Sequence, residues 1–166
     1  MEIITVDSPK AGVLRRRARA VGRVTPQVQR LVDGMIETMH EASGVGLAAP
    51  QVGVSKRIIV AEVNERLHVL IDPKIVKHEG EELGTEGCLS IPGVIGEVPR
   101  AVRVIVKGKN RKGRGITLDA GGMLARVLQH EVDHLDGILF LDRVVDKSTI
   151  RDVAASAEVE GAVTAG

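Results

Sequence analysis

The chain has 166 residues, the size of one ordinary domain, long enough to bury a sizeable core without disulfides. Its 23 Lys and Arg against 22 Asp and Glu leave a formal charge of +1, which argues against a dedicated nucleic-acid or membrane-surface protein, and 43% hydrophobic residues exclude wholesale disorder. A single cysteine excludes a disulfide-stapled scaffold, and Phe140, the one aromatic ring, leaves an aliphatic core and no ring platform for stacking bases or sugars.

From Met1 to Ser8 there is no basic start followed by a long apolar run, so no secretory signal is expected. Arg15, Arg16 and Arg17 follow the acidic Glu2 and Asp7 and precede alternating Arg and Ala, the pattern of a solvated surface segment. No window approaches the roughly 20 apolar residues of a membrane helix. The expected address is a reducing cytoplasm.

Between Thr25 and Ala42, Val28, Leu31, Val32, Met35, Ile36 and Met39 mark the stripe of an amphipathic helix. Thr25 is its expected N-cap, Pro26 its first residue and Gly44 its stop. Segments 57–63, 67–75 and 102–106 are short, rich in Val and Ile, and separated by turn residues, which predicts antiparallel strands. The basic stretch 107–114 reads as a solvated hairpin tip before a further strand at 116–118. A second helix is predicted from Gly121 or Gly122 to Asp136, with Gly137 just past its end. The polar, Ala- and Gly-rich stretch 154–166 reads as a frayed tail of a single domain spanning 1–166. Helices flanking antiparallel strands predict an α+β fold.

The second helix carries His130-Glu131-Val132-Asp133-His134. Residues i and i+4 share a helix face, so two imidazoles can hold one metal ion with Glu131 beside them as a general base. Leu124, Val127, Leu128 and Leu135 make this helix apolar nearly all round, so it should be central and buried. Buried histidines and a glutamate need partners, and a metal supplies one. A catalytic site ordinarily has a third protein ligand. Phe140 stands where a third histidine of the metzincin pattern would, so that pattern fails. Glu158 and Glu160 in the tail are candidates of the thermolysin kind and would make a zinc endopeptidase. Cys88 is the other candidate, favoured by the glycines and proline of Thr85-Glu-Gly-Cys-Leu-Ser-Ile-Pro-Gly93, which suggest a shaped loop holding one side chain in place. Gly44-Val-Gly-Leu-Ala-Ala-Pro-Gln51 loosely fits a dinucleotide-binding pattern, but a helix precedes it where a strand is needed. Its glycines can instead approach an extended substrate, and Gln51 offers an amide donor for an oxyanion.

Taken in order, 44–51, Glu86-Gly-Cys-Leu-Ser90 and Gln129-His-Glu-Val-Asp-His134 resemble the three signature motifs of the peptide deformylase family. The likeness extends over about residues 3–146, including Val13-Leu-Arg15, Met35-Ile-Glu-Thr-Met39, Leu124-Ala-Arg126 and Gly137-Ile-Leu-Phe-Leu-Asp-Arg143. It implies antiparallel sheets packed around the metal-binding helix, with an N-terminal helix and a short C-terminal helix or tail. It also implies hydrolysis of the formyl group of N-formylmethionyl nascent peptides, close to the ribosome. The resemblance assigns Cys88, His130 and His134 as ligands of one divalent metal, ferrous iron in most of the family, with zinc, nickel or cobalt able to replace it. Glu131 becomes the catalytic acid and base, Gln51 and the Leu89 amide the oxyanion donors, and Gly46 a contact for the substrate backbone. An aliphatic pocket for the methionine side chain is expected from Val45, Leu89, Val127 and Leu128. Glu86 and Arg100 are expected to pair behind the Cys88 loop, and Asp133 to orient a neighbour or face solvent.

Overall fold

The computed structural model describes residues 1–153 and the backbone of Val163–Ala165. Helix α1 (Pro26–Glu41) starts where its signals place it. Thr25 is extended and its hydroxyl accepts from the Val28 amide at 3.3 Å. Val28, Val32, Met35 and Met39 are buried, while Leu31 and Ile36 lie on the flanks of the stripe, partly covered. The helix ends before Gly44. Ala42 is its C-cap, and Ser43 rather than a glycine takes the left-handed conformation, with φ at 54°. The turn is closed by amides of Ser43 and Gly44 donating to His40 and Met39.

Strand β1 (Gly46–Ala48) and a 3-10 turn, Ala49–Val52, lead to β2 (Ile58–Val63). Ile58 and Val60 of β2 join the cluster under α1, whereas Ile59, Ala61 and Val63 join the one under the second long helix. Burial on both faces explains why β2 opens on an unbroken apolar run, 58–61, before Glu62. Strand β3 (Arg66–Glu79) outlasts the expected segment by passing through two register shifts, one across Pro73, which cannot donate to the ladder, and one between Ile75 and Lys77. Asp72 there has φ at 51°, and its carboxylate accepts the amides of Val21 and Gly22 at 2.7 and 2.9 Å. Strands β4 (Glu82–Cys88) and β5 (Ile91–Arg100) pair antiparallel, as do β6 (Arg103–Lys109) and β7 (Gly115–Gly121). The basic segment forms the β6–β7 tip, closed by Asn110 accepting the amides of Lys112 and Arg114.

The Cys88 segment departs from expectation. It is a β-hairpin instead of a loop, with Leu89 and Ser90 between the strands. Glycines and prolines along β4 and β5 hide the strand period, yet at Gly84 the glycine has a packing cause. A Cβ there would stand 2.7 Å from the Arg126 guanidinium carbon.

Helix α2 (Gly122–Leu135) is buried from Val127 to Leu135, as its apolar circumference predicted. Its last carbonyl, Leu135, accepts from the Ala18 amide and from Arg57 Nη1 at 2.8 and 2.9 Å, groups far away in sequence. Gly137 has φ at 75°, and a Cβ there would lie 2.5 Å from the Arg15 carbonyl oxygen, so the chain reversal admits only glycine. A short helix α3 (Phe140–Arg143) and strand β8 (Arg151–Asp152) follow. Strand β9 (Val163–Ala165) runs parallel to both neighbours in the sheet order β7-β6-β3-β2-β1-β9-β4-β5-β8. The rest of the tail read as frayed lies outside the described residues. Arg15 to Arg17 are exposed, and among the described residues no helix is long and apolar enough to cross a membrane.

Candidate active site

Two elements bring three residues to one buried point. Strand β4 ends on Cys88, and α2 presents His130 and His134 from consecutive turns. One ligand atom from each residue lies within 4.8 Å of the others, all three being buried. Cys88 Sγ stands 3.5 Å from His134 Nε2, close to the edge of about 3.6 Å that a tetrahedron of ~2.2 Å metal bonds requires. The chemistry of the sulfur agrees with the geometry. Burial, seconded by the charges of Glu131 and Glu86, pushes the Cys88 thiol up against the backbone hydrogen bonds of Ser90 and Ile91 that favour ionisation. A thiolate here therefore calls for a compensating cation, and the donor set fits one.

The histidines are held from behind. His130 Nδ1 lies 2.8 Å from Glu86 Oε1, so Nε2 is the nitrogen that could ligate an ion. The Phe140 ring stacks on His130 with centroids 6.1 Å apart. Glu86, fully buried, is gripped by Arg100 at 2.9 Å on each oxygen and by Arg126 Nη1 at 2.7 Å. Burial alone would raise its pKa, but the Arg100 and His130 hydrogen bonds outweigh this and hold the carboxyl well below the usual range. Arg100 also donates to Asp133 at 2.6 Å, and Arg143 clasps both oxygens of Asp133. The expected Glu86–Arg100 pair is thus buried, and Asp133 orients a neighbour. Arg126 and Arg143 were not foreseen, because neither spacing nor periodicity links them to Glu86 or Asp133.

The 3-10 turn after β1 fixes Gln51. Its Oε1 accepts the Ala48 amide at 3.0 Å, so Nε2 must point the other way, donating to Ser90 Oγ at 3.1 Å with Cys88 Sγ 3.8 Å away. An amide donor is therefore aimed at the ligand cluster. Gly46 lies against Glu131, and a Cβ at position 46 would come within 2.6 Å of Glu131 Oε2 and 2.9 Å of Val127 Cγ1. The backbone of β1 approaches the glutamate this closely because residue 46 has no side chain.

Leu89 follows Cys88 directly, its side chain half-buried against the α1 cluster. Val45 is half-buried at the mouth of β1, whereas Val127 and Leu128 are sealed within the core. A cleft of about 350 Å³ opens beside the sulfur, lined by Ser43, Cys88, Leu89, Ile91, Pro92 and Val94 among others. Glu158 and Glu160 lie outside the described residues.

The family model for polypeptide deformylase matches residues 1–149. The chain belongs to the polypeptide deformylase family. A peptide deformylase of Syntrophomonas wolfei is 49% identical over 145 residues, covering 87% of this chain and 93% of that relative. The crystal structure of the Thermus thermophilus peptide deformylase superposes with a TM-score of 0.80 at 51% identity, covering 86% of this chain and 84% of the other. That of Synechococcus elongatus, solved in complex with actinonin, gives 0.85 at 42% identity, covering 90% and 81%. Membership of this enzyme family favours a hydrolase serving protein biosynthesis over the endopeptidase reading, and the family uses a single metal.

Proposed function

We infer that the chain removes the formyl group from the N-formylmethionine of nascent polypeptides, releasing formate and a free amino terminus. The observation that carries this reading is the convergence of Cys88 with both histidines of α2 at a point faced by the Gln51 amide.

A divalent ion held by Cys88, His130 and His134 would supply Lewis acidity, lowering the pKa of water towards neutrality and polarising the formyl oxygen. The remaining work falls to the chain's own groups. Glu131 takes the proton that water loses as it adds to the formyl carbon. Charge then grows on the formyl oxygen, to which the Gln51 side-chain amide and the Leu89 backbone amide donate. As the C–N bond breaks, Glu131 returns its proton to the departing amine, so the carboxylate is regenerated at each turnover. The Gly46 backbone holds the peptide, and the half-buried Val45 and Leu89 supply the accessible part of an aliphatic wall for methionine, with Val127 and Leu128 behind it in the core.

Ferrous iron is our assignment for the ion, with zinc, nickel and cobalt as substitutes. One thiolate with two imidazoles suits all four, and the iron form would be oxygen-sensitive. We place the protein in the cytoplasm, acting near the ribosome as a single domain over 1–166, where its substrates emerge and where a lone thiol stays reduced. Anaerobically purified, iron-loaded protein incubated with formyl-Met-Ala should release formate. Loaded protein that leaves the peptide intact would refute the reading.

A further inference from the structure

We propose that the gap between β1 and β4 is a binding site for the chain's own segment Val163–Ala165, which competes there with the substrate peptide. The proposal rests on the functional reading above, because it takes Gly46 and the Cys88 end of β4 as the edges along which the substrate lies.

The register carries the inference. Ala165 pairs with Gly46 on one side and with Cys88 on the other, while Thr164 faces Gly87 and Val163 faces Glu86. The segment thus sits between the glycine assigned to the substrate backbone and the cysteine of the ligand cluster. Without β9, β1 and β4 present two facing edges of open backbone, one strand apart. Adjacent strands lie about 4.8 Å from each other, so the space admits a single extended chain. The tail and a substrate cannot share it.

Polarity separates the two occupants. Strand β9 is parallel to β4, and β4 runs towards Cys88, so the tail enters with its carboxyl-terminal side leading to the ligand cluster. A substrate with its formylated amino terminus at the cluster runs the other way. The tail therefore offers backbone pairing without a scissile group, the property of an inhibitor that is never consumed.

The tether reaches. Val153 is fixed by its amide to the Gly93 carbonyl at 2.8 Å, beside β5. Residues 154–162 could span up to roughly 30 Å, whereas three strand spacings amount to about 14 Å. The covalent link makes the segment an intramolecular competitor, which offsets the weak affinity of a three-residue strand.

The test keeps the full chain. Thr164→Pro removes an amide donor and fixes φ near −65°, against strand geometry, whereas Thr164→Val keeps both. With iron-loaded protein and formyl-Met-Ala-Ser, Thr164→Pro should lower KM about threefold with kcat unchanged, while Thr164→Val matches the parent. Amide hydrogen exchange without substrate should accelerate at 46–48 and 86–88 in Thr164→Pro alone. Unchanged exchange would overturn the strand, and unchanged KM would overturn the competition. If no protein releases formate, the functional reading fails, and exchange still reports whether the tail fills the gap.

Discussion

Glu86 Oε1 lies 2.8 Å from His130 Nδ1, while Arg100 and Arg126 neutralise the same carboxylate from the other side. The glutamate thereby sets the tautomer and direction of a ring in the proposed ligand set from inside the protein. Glu86→Gln keeps the shape and removes the charge. It should weaken metal binding by about 10- to 100-fold, read by competition with a chromogenic chelator. It should also cost about 3 kcal/mol of stability, because Arg100 is left with Asp133 as its remaining carboxylate partner. A chelator titration indistinguishable from the parent would separate Glu86 from the metal site.

Cys88→Ser and Glu131→Ala should fail in different ways. The serine variant loses the soft anionic ligand, so metal content after gel filtration should fall well below one ion per chain. The alanine variant keeps all three proposed ligands and should retain its ion, while kcat drops by about 10²- to 10⁴-fold as the general base is lost. Metal analysis beside formate release separates the two roles. A Glu131→Ala protein with near-normal turnover would remove that residue from the chemistry.

Gly46→Ala tests how tightly β1 is set against α2. The new Cβ would meet Glu131 Oε2 at 2.6 Å and Val127 Cγ1 at 2.9 Å; both residues are fully buried, but the glutamate is met at the far end of the longer, more flexible side chain. Glu131 is then the group that moves. A displacement near 1 Å at a reacting group costs on the order of 10² in rate, so kcat/KM should fall about 100-fold with the metal retained. Equal kcat/KM in the two proteins would mean that the carboxylate has slack.

Local signals made the helices legible. Thr25, Pro26 and Gly137 act within one turn of their helix ends, and the four-residue spacing of His130 and His134 sets their common face before any tertiary contact forms. Strands β4 and β5 were not legible. Their glycines imitate a loop, and the cause at Gly84 is Arg126, which lies 42 positions downstream. The same limit hid Arg143 on Asp133 and Arg57 on the carbonyl end of α2, since long side chains choose partners by folded proximity. The three motifs pointed to the cluster of Cys88, His130 and His134, while the arginines that steady it emerged from packing.

Acid should act on the join between Arg15 and α3. Asp142 accepts Arg15 Nη1 at 2.5 Å and the Leu139 amide at 2.9 Å. Partial burial works to raise its pKa, but these two donors win and hold it below the usual carboxylate value. A carboxylate depressed in the folded state adds stability above its unfolded pKa, near 3.9, and loses it as pH falls through the lower folded value. Asp142→Asn cannot titrate. The parent should therefore be more stable than the variant by about 0.5–1 kcal/mol at pH 6, a small figure because Arg15 is 55% and Asp142 40% exposed. That gap should close below about pH 4 and shrink in 1 M salt. Urea midpoints of both proteins between pH 3 and pH 7 measure it, and a gap that widens towards acid would reverse the assigned sign.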